Sequence, residues 1–247
     1  MSKLAIFSDV HGNLTAFEAC LEDARKQEVT DYLCLGDQAN FGPEPSESLD
    51  RLEDLGCPVV MGNTDQRMLE PRSAADFGEN PSEDNFKKLD IEHWGSKLLT
   101  DKNKQFIRTF EPFIKLEFSG LSVLAYHGSP KGFNDVILPH KDDDLNGYFE
   151  GYSADLYVGG HVHLQFVRRY HHQRVLNPGT VGAAYVRQRD GSYLCLPVAE
   201  YALLEVLGNQ PNLSLRRVPY SLEDLRERVR LSGMPHAETW LAAFREA

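Results

Sequence analysis

The chain has 247 residues, of which 41% are hydrophobic and 26% are charged. This composition provides enough apolar residues for a sizeable folded core and excludes a disordered chain. The net charge of -11 disfavours binding to duplex nucleic acid or to an anionic membrane. The four cysteines show no close pairing, and no segment approaches the roughly 20 apolar residues of a membrane span. We therefore expect a cytoplasmic protein with reduced thiols.

The N-terminal part of the chain alternates predicted strands with predicted helices. Apolar runs predict strands at 3–8, 31–35 and 58–61. Helical spacing of apolar residues predicts a helix after the N-cap Asn13 and another around 49–55. Strands that alternate with helices form parallel sheets, so the pattern predicts the α/β class.

The alternation stops at Gln66, where the sequence predicts a helical insertion of about 66–112. Ser82 and Thr100 have the positions of N-caps before two helices, and Trp94 and Leu98 have the spacing of one helix face in the first of them. Further strands are predicted at 113–118, 121–126 and 155–158. The acidic run 142–144 predicts the start of another helix.

Short apolar runs after His163 predict a second sheet with antiparallel strands. They occupy 165–170, 174–176, 192–196 and 202–206. The C-terminal tail at about 220–247 has the pattern of two amphipathic helices, the first capped by Ser221. The sequence contains no internal repeat and no low-complexity linker, so we expect a single domain over 1–247.

Residues of the types that bind metals follow the predicted strands, mostly beside glycines. They are Asp9, His11, Asp37, Asn63, His127, His161 and His163. In open α/β sheets, ligands bind in the crevice beyond the carboxyl ends of the strands, so we expect these side chains to converge. A spacing of two residues, as between Asp9 and His11, gives both side chains one direction at the end of a strand.

This set of residues suits a pair of divalent cations. Two metal ions about 3.5–4 Å apart need a bridging carboxylate, imidazoles to complete the coordination, and open positions for water and substrate. Asp37 is the natural bridge, and the Asn63 amide supplies an oxygen ligand without further charge.

Each motif alone also has an ordinary structural interpretation. Asn13 fits a helix cap after a strand, the Gly-Asp and Gly-Asn pairs at 36–37 and 62–63 fit tight turns, and His127 fits a histidine of the core. Two imidazoles at 161 and 163, after two glycines, have little structural purpose. The structural interpretation therefore needs five coincidences in order along the chain, whereas a metal site explains all of them.

Six blocks of the sequence, five with the ligand-type residues and one after them, match a known family in order. They are Ser8-Asp9-Val10-His11-Gly12-Asn13, Gly36-Asp37, Gly62-Asn63-Thr64-Asp65, His127-Gly128-Ser129-Pro130, Gly160-His161-Val162-His163 and Asn177-Pro178-Gly179-Thr180-Val181-Gly182. In these blocks the chain resembles the calcineurin-like metallophosphoesterase superfamily, in particular a small prokaryotic branch. The resemblance covers roughly 3–206 and implies a four-layer αββα sandwich of two mixed β-sheets.

The resemblance also implies a two-metal site. One metal ion would be held by Asp9, His11, Asp37 and His163, and the other by Asp37, Asn63, His127 and His161. The implied catalytic residues are Asp37, Asn63 and His127, which hold the ions around a bridging water or hydroxide that attacks phosphorus in line. The mixed shell of imidazole, carboxylate and amide suits Mn, Fe, Zn, Co or Ni, of which we favour Mn.

One position departs from the pattern of the family. Many members have a histidine directly after the asparagine of the third block, where it protonates the leaving group or stabilises the transition state, and this chain has Thr64. Loss of a general acid costs about 100- to 10,000-fold, and least when the leaving group is a weak base. We therefore predict a phosphodiesterase for small diesters or nucleotides, with Arg67 and Thr64 as substrate contacts.

Other functions stay open on the sequence. A phosphomonoesterase, a dinucleoside polyphosphate hydrolase and a single-strand nuclease share the reaction class, and the nuclease fits the acidic charge worst. His93 and His140 are alternative proton donors, although both positions are more typical of surface histidines. A non-catalytic metal-binding scaffold is the alternative of another class, as in the retromer subunit that resembles these enzymes. Such scaffolds usually lose ligands, and this chain retains the full set. The substrate, the oligomeric state and the role of the tail are not readable from the sequence.

Overall fold

The computed structural model describes residues 2–140, 145–189, 193–208 and 210–245, so the acidic run 142–144 lies outside the described residues. The strands are β1 (Lys3–Phe7), β2 (Asp31–Cys34), β3 (Phe113–Phe118), β4 (Leu121–Tyr126), β5 (Leu156–Val158), β6 (Gln165–Tyr170), β7 (Gln173–Pro178), β8 (Ala184–Arg187), β9 (Tyr193–Leu196), β10 (Val198–Leu207) and β11 (Gln210–Pro219). The helices are α1 (Leu14–Lys26), α2 (Pro45–Leu55), α3 (Asn63–Leu69), α4 (Glu83–Leu98), α5 (Asp101–Ile107), α6 (Leu145–Phe149), α7 (Leu222–Ser232) and α8 (Ala237–Leu241), with a 3-10 turn at Ala74–Phe77. Within the described ranges, none of the helices has both the length and the apolar character that crossing a bilayer requires.

The strands form two mixed sheets and a separate hairpin. Sheet 1 has the order β11-β10-β1-β2, in which β1 runs parallel to β2 and antiparallel to β10. Sheet 2 has the order β3-β4-β5-β7-β6, with a parallel centre and antiparallel edges. The hairpin pairs β8 with β9.

Alternating side chains of β1 divide the core into layers. Phe7 joins an apolar cluster that contains Phe17 of α1, whereas the neighbouring Ile6 joins a second cluster with Val123 of β4. Because successive residues of a strand face opposite sides, the same short strand packs against helices on one side and against sheet 2 on the other.

The layer on the outer side of sheet 2 is small. Its helix is α6, whose Phe149 ring lies 4.4 Å from the ring of Tyr157 in β5. The order of layers is therefore helices, sheet 1, sheet 2 and a short helix with loops, which confirms the predicted four-layer αββα sandwich of two mixed β-sheets.

The predicted helix caps are present. The Asn13 side chain accepts a hydrogen bond of 3.1 Å from the backbone N–H of Ala16 at the start of α1. Ser82, Thr100 and Ser221 cap α4, α5 and α7 in the same way. Each cap satisfies a backbone donor that the first helical turn leaves free.

The prediction that the strands after His163 form their own antiparallel sheet is wrong. Strands β6 and β7 join β5 in sheet 2, β10 pairs with β1 in sheet 1, and β9 pairs with β8. The apolar pattern of a strand states which faces are buried but not which strand lies beside it. Strands β8 and β11 were not predicted.

The helical region begins earlier than the predicted insertion of 66–112. Helix α3 starts at Asn63, directly after Gly62, so Gln66 lies inside it. The predicted strand 58–61 contributes isolated bridges from Val59 to Cys34 and from Val60 to Glu111. Leu98, predicted on the buried face of α4, is 45% exposed.

The tail contains the two predicted helices and packs back onto the fold. The backbone N–H of Cys195 in β9 donates to the Ala243 carbonyl at 2.7 Å, and that of Arg245 donates to the Cys195 carbonyl at 3.0 Å. His236 Nε2 lies 2.8 Å from Asp90 Oδ2 of α4. The tail is therefore held by the β8–β9 hairpin and by the helical insertion.

Candidate metal centre

The loops that follow β1, β2, β4 and β5 meet at one edge of the two sheets. Within sheet 1, the backbone N–H of Asp9 donates to the Gly36 carbonyl and that of His11 donates to the Asp37 carbonyl, both at 2.9 Å. Between the sheets, the His161 N–H donates to Asp9 Oδ2 at 3.0 Å. The predicted convergence of the strand ends is thus present in the structure.

Five of the seven ligand-type residues have a left-handed backbone. They are Asp9, His11, Asp37, His161 and His163, with φ between 51° and 70°. The side chains therefore converge through sharp turns of the backbone. The spacing of Asp9 and His11 had instead predicted convergence through strand alternation. Asp and His tolerate this conformation better than branched residues, and such strained positions cluster at functional sites.

The first group of side chains contains Asp9, His11 and His163. The Nε2 atoms of His11 and His163 lie 3.1 Å apart. Asp9 Oδ1 lies 3.1 Å from His163 Nε2 and 3.7 Å from His11 Nε2. All three residues are buried, with His11 the most exposed at 8%.

The second group contains Asp37, His127 and His161, with Asn63 beside it. His127 Nε2 lies 3.0 Å from Asn63 Oδ1 and 3.4 Å from Asp37 Oδ2. The rings of His127 and His161 have centroids 5.1 Å apart. One ligand atom of each residue in the group lies within 4.8 Å of the others.

Asp37 lies between the two groups. Its Oδ2 is 3.4 Å from His127 Nε2 in the second group and 3.9 Å from His11 Nε2 in the first. Its Oδ1 accepts a 2.8 Å hydrogen bond from the backbone N–H of Thr64. A methyl group on Gly62 would overlap that oxygen, so glycine is required for the close approach of the two loops.

The outer nitrogens of three imidazoles face backbone carbonyls. Nδ1 of His127 is 2.7 Å from the Leu35 oxygen, Nδ1 of His11 is 3.1 Å from the Asn40 oxygen, and Nδ1 of His163 is 3.1 Å from the Ala183 oxygen. When Nδ1 is the donor of a neutral imidazole, Nε2 carries a lone pair. These contacts orient ligand histidines in metal sites.

The inner atoms of the first group are a carboxylate oxygen and two imidazole nitrogens. Asp9 Oδ1 is buried, and the Nε2 atoms of His163 and His11 lie 3.1 and 3.7 Å from it. Carboxylate oxygens and imidazole nitrogens that converge in this way are the ligand types that bind divalent metal ions. The residues present fit a divalent metal ion in each group, and Asp37 lies between the two groups.

Electrostatic attraction within the site shifts the pKa values of its charged groups. Burial opposes the charge of Asp9, but His163 outweighs burial and lowers the pKa of that carboxyl to about 2. Burial also opposes the charge of Asp37, and His127 lowers its pKa further still. In return, Asp37 raises the pKa of His127 to about 9 against the effect of burial. Both carboxylates are ionised, as metal ligands must be.

Asp65 supports the site from behind, and the sequence reasoning did not assign it this role. It is fully buried, and its carboxylate accepts from the backbone N–H groups of Asp37 at 2.7 Å, Gln38 at 2.8 Å and Gly62 at 3.1 Å. One side chain thus fixes the loop after β2 against the start of α3. The signal was present in the Gly62-Asn63-Thr64-Asp65 block, because an acidic residue at the third position of a helix can satisfy its first donors.

A cavity of about 450 Å³ opens onto the ligand-type residues. Its floor is formed by His11, Asp37, Asn63, His161 and His163. Thr64 and Arg67, the two predicted substrate contacts, line the wall together with Lys88 of α4 and Trp240 of α8. Lys88 and Trp240 were not predicted, because nothing in the local sequence of α4 or of the tail links them to the strand ends. A larger groove of about 920 Å³ between α1, α2 and α7 shares no residue with this cavity.

The alternative proton donors lie elsewhere. His93 is exposed, with Nε2 2.6 Å from the Arg72 carbonyl oxygen, and His140 is also exposed. Neither lines the cavity. Both are surface histidines, as the sequence indicated.

A profile of the calcineurin-like phosphoesterase superfamily domain matches residues 2–201. The chain belongs to this superfamily. Because the profile spans most of the chain and all seven ligand-type residues, membership supports a metal-dependent phosphoester hydrolase that binds divalent metal ions and acts on a small-molecule substrate. The last part of the chain, including Trp240, lies outside the match.

Three similar proteins match this chain over nearly the whole length of both chains. An uncharacterized protein of Methanocaldococcus jannaschii is 26% identical, with 97% of this chain and 96% of that protein covered. The crystal structure of a metallophosphoesterase from Sphaerobacter thermophilus is 26% identical, has a TM-score of 0.74 and covers 98% of both chains. A hypothetical protein from Pyrococcus horikoshii has a TM-score of 0.78 over the whole of both chains at 18% identity, a likeness of fold.

Proposed function

We propose that the protein is a dinuclear metal-dependent phosphodiesterase that acts on small phosphodiesters or nucleotides. The observation that supports it is the pair of ligand groups, Asp9–His11–His163 and Asp37–His127–His161, with Asp37 Oδ2 within 4 Å of a histidine of each. Asn63 completes the second group through its oxygen. Metal ions held here would polarise the phosphoryl oxygens and lower the pKa of water.

The protein's own residues then have separate tasks. Asp37, Asn63 and His127 are the proposed catalytic residues, since Asp37 and Asn63 line the floor of the cavity and the buried His127 contacts both of them. The carbonyls of Leu35, Asn40 and Ala183 orient the imidazoles. These contacts fix the geometry before substrate binds, which is the condition for electrostatic stabilisation of a transition state.

Arg67 is the proposed clamp for the substrate phosphate. Its side chain lines the cavity, and burial, with a smaller effect of Arg72, lowers the pKa of its guanidinium. Among the described residues, no carboxylate lies within ion-pair distance of Arg67 or of Lys88. Both cations are thus available to an anionic ligand, and a guanidinium binds phosphate through two parallel hydrogen bonds.

Thr64 supports the preference for diesters. It lies at the cavity wall with its backbone bound to Asp37, and its hydroxyl has no hydrogen-bond partner. A hydroxyl of this kind does not replace a histidine as general acid, so good leaving groups are favoured.

A phosphomonoesterase is the second candidate, and Arg67 and Lys88, which form no ion pair within the described part of the chain, favour it. Arg67 and Lys88 together match the double charge of a monoester dianion better than the single charge of a diester. A dinucleoside polyphosphate hydrolase shares this charge argument.

Paired substrates test the proposal directly. Metal-stripped protein is reconstituted with Mn²⁺ and assayed against bis(p-nitrophenyl) phosphate and p-nitrophenyl phosphate. We expect metal-dependent turnover with a higher kcat/KM for the diester. The Asp37→Asn variant should lose at least about 100-fold, because the shared ligand is weakened. Asp54→Asn, an exposed position on α2, is the matched control and should keep full activity.

Two results would lead to other conclusions, and a comparison of metals tests the cofactor. Higher kcat/KM for the monoester would replace the diesterase by the phosphomonoesterase. Two bound Mn²⁺ per chain without turnover of either ester would indicate a metal-binding scaffold. Comparison with Fe, Zn, Co and Ni tests the preference for Mn.

Two further proposals concern the protein as a whole. The four thiols are free in the structure, which supports a cytoplasmic location. The core that joins α1 and sheet 1 to the tail residues Leu241 and Phe244 supports a single domain over 1–247.

A further inference from the structure

The wall of the cavity above the metal-type ligands contains four aromatic rings. They belong to Phe41, Phe77, Tyr185 and Trp240. Aromatic walls are typical of pockets that bind the planar organic part of a ligand.

Three of these rings already have partners inside the site. The Phe41 ring lies 6.0 Å from the His11 ring, and the Arg72 guanidinium lies 4.5 Å above the Phe77 ring. The Tyr185 ring stacks on the His163 ring at 4.8 Å and 11°. These three rings therefore already pack against side chains of the site, two against histidines and one against Arg72, which belongs to the cationic wall formed by Arg67, Arg72 and Lys88.

The fourth ring, that of Trp240, is different. Its ring contact among the described residues is Phe244, 4.5 Å away within the tail itself. Trp240 is partly exposed and lines the cavity. The indole packs on the core beside Phe244 and also lines the cavity, and it has no ring contact with the ligand-type histidines among the described residues.

The position of Trp240 is fixed by the structure around it. Leu241 and Phe244 are buried in the core, and the end of the tail pairs with β9 through Cys195. On the other side, His236 is 2.8 Å from Asp90 of the insertion. A ring held in place loses little conformational freedom when a ligand stacks on it, so its contribution to binding is retained.

We propose that the tail completes the active site and that Trp240 stacks on a planar ring of the substrate. The organic part of the natural ester then includes a planar ring of the nucleobase type. This inference rests on the proposed function of the same site, and it adds a specificity residue from outside the family match, which ends at residue 201. Stacking of one base on an aromatic side chain changes affinity about 5- to 150-fold.

Two probes that differ only in the base test this inference by binding. AMP and ribose 5-phosphate share the sugar and the phosphate, so their affinities are compared by calorimetry on the Mn²⁺-loaded full chain, with phosphate release monitored to exclude turnover. We expect AMP to bind at least about tenfold more tightly. The Trp240→Leu variant should bind both equally, and Trp240→Phe should restore most of the difference.

The chain provides a matched control in its other tryptophan. Trp94 lies in α4 and does not line the cavity, so Trp94→Leu should keep the preference for AMP. In Trp94→Phe, the remaining indole is Trp240, and its fluorescence should be quenched by AMP but not by ribose 5-phosphate.

The outcomes distinguish failure of the proposed stacking by Trp240 from failure of the proposed phosphodiesterase reaction. Equal affinity of the wild type for the two probes, binding of neither, or an unchanged preference in Trp240→Leu overturns the role of Trp240. Absence of diester turnover together with a preference for AMP that Trp240→Leu removes would overturn the proposed reaction and retain the ring subsite.

Discussion

The residues at the end of β1 and β2 occupy conformations that most side chains avoid. Left-handed φ at Asp9, His11 and Asp37 costs roughly 1–3 kcal/mol per residue. Hydrogen bonds between the loops offset this cost, since the Asp9 and His11 N–H groups both donate across to the neighbouring loop at 2.9 Å. The positions of these side chains are thus set by hydrogen bonds between the backbones of the two loops.

Thr64 gives the sharpest prediction for a single side chain. Thr64→His should raise kcat/KM for an alkyl phosphodiester by about 100-fold, because an imidazole at this cavity position can protonate a basic leaving group. The same variant should hardly change kcat/KM for an aryl diester, whose leaving group needs no proton. Stopped assays on a matched pair of alkyl and aryl esters measure both.

Thr64→Ser is the control for this change, because it keeps a hydroxyl and the backbone hydrogen bond to Asp37. It should leave the alkyl-to-aryl ratio as it is in the wild type. If Thr64→His gives no gain on the alkyl ester, the diester preference has another cause.

Asp65 should be a stability residue more than a ligand. Asp65→Ala removes the acceptor for three buried backbone donors, and unpaired buried donors cost about 1–3 kcal/mol each. We expect the free energy of unfolding in urea to fall by at least about 3 kcal/mol. The decrease in the free energy of unfolding should be smaller for Asp65→Asn, which keeps one acceptor oxygen. Equal stability of Asp65→Ala and wild type would contradict the role assigned here.

The sequence predicted the seven ligand-type residues because each follows an apolar strand within a short, specific block. It did not predict Lys88 or Trp240, since their place at the cavity depends on how α4 and the tail pack. Asp65 stood in a recognised block, but its three backbone partners come from two loops that only the fold brings together.

At the scale of elements, an ion pair connects helix α4 to the segment after α3. Glu92 of α4 is fully buried, and its carboxylate accepts from the Arg72 guanidinium at 2.7 and 3.0 Å and from the Arg72 backbone N–H at 2.7 Å. This pair holds the cationic wall of the cavity in place. It links two parts of the insertion, the start of the segment after α3 and the middle of α4.

Glu92→Gln should therefore destabilise the protein by about 3 kcal/mol, because a guanidinium that is only 20% exposed is left without its counter-charge. The midpoint of thermal unfolding measures the effect. Glu83→Gln in the same helix is the control, since Glu83 pairs with Lys87 in solvent and its loss should not move the midpoint. A similar midpoint for the two variants would mean that the buried pair contributes nothing net.

Element types were predicted well where the signal is local. Ser82, Thr100 and Ser221 mark helix starts through their own hydrogen bonds, and β3 and β4 have the predicted bounds. Strand partners were not predicted, because β10 pairs with β1 almost 200 residues away and no local pattern specifies that distance. Helix α3 was not predicted, because the Gly-Asn pair at 62–63 is typical of a tight turn, and Asn63 is the first residue of the helix.

For the whole molecule, the packing of the thiols predicts their reactivity. Burial raises the pKa of all four cysteines, to about 11 at Cys195 and to about 12 at Cys57. A raised pKa keeps a thiol protonated, so at pH 8 no more than about 0.1% is the reactive thiolate. Alkylation with iodoacetamide followed by mass spectrometry should find the native protein almost unlabelled and the urea-unfolded protein labelled four times. Rapid labelling of native Cys57, the most accessible of the four, would contradict this packing.

The topology of sheet 1 also determines when, during synthesis of the chain, the groups around Asp9 can come together. Strand β1 lies between β2 and β10, and Asp9 receives hydrogen bonds from Thr180 and Gly182. Ribosomes add about 5–20 residues per second, so roughly ten to forty seconds separate the synthesis of Asp9 from that of its last neighbours. A nascent chain therefore displays the first acidic and histidine groups long before it can assemble the complete set. The chain can therefore bind metal ions at the complete site only after β10 has been synthesised. The metal ions that are free in the cell at that time then determine which element is bound.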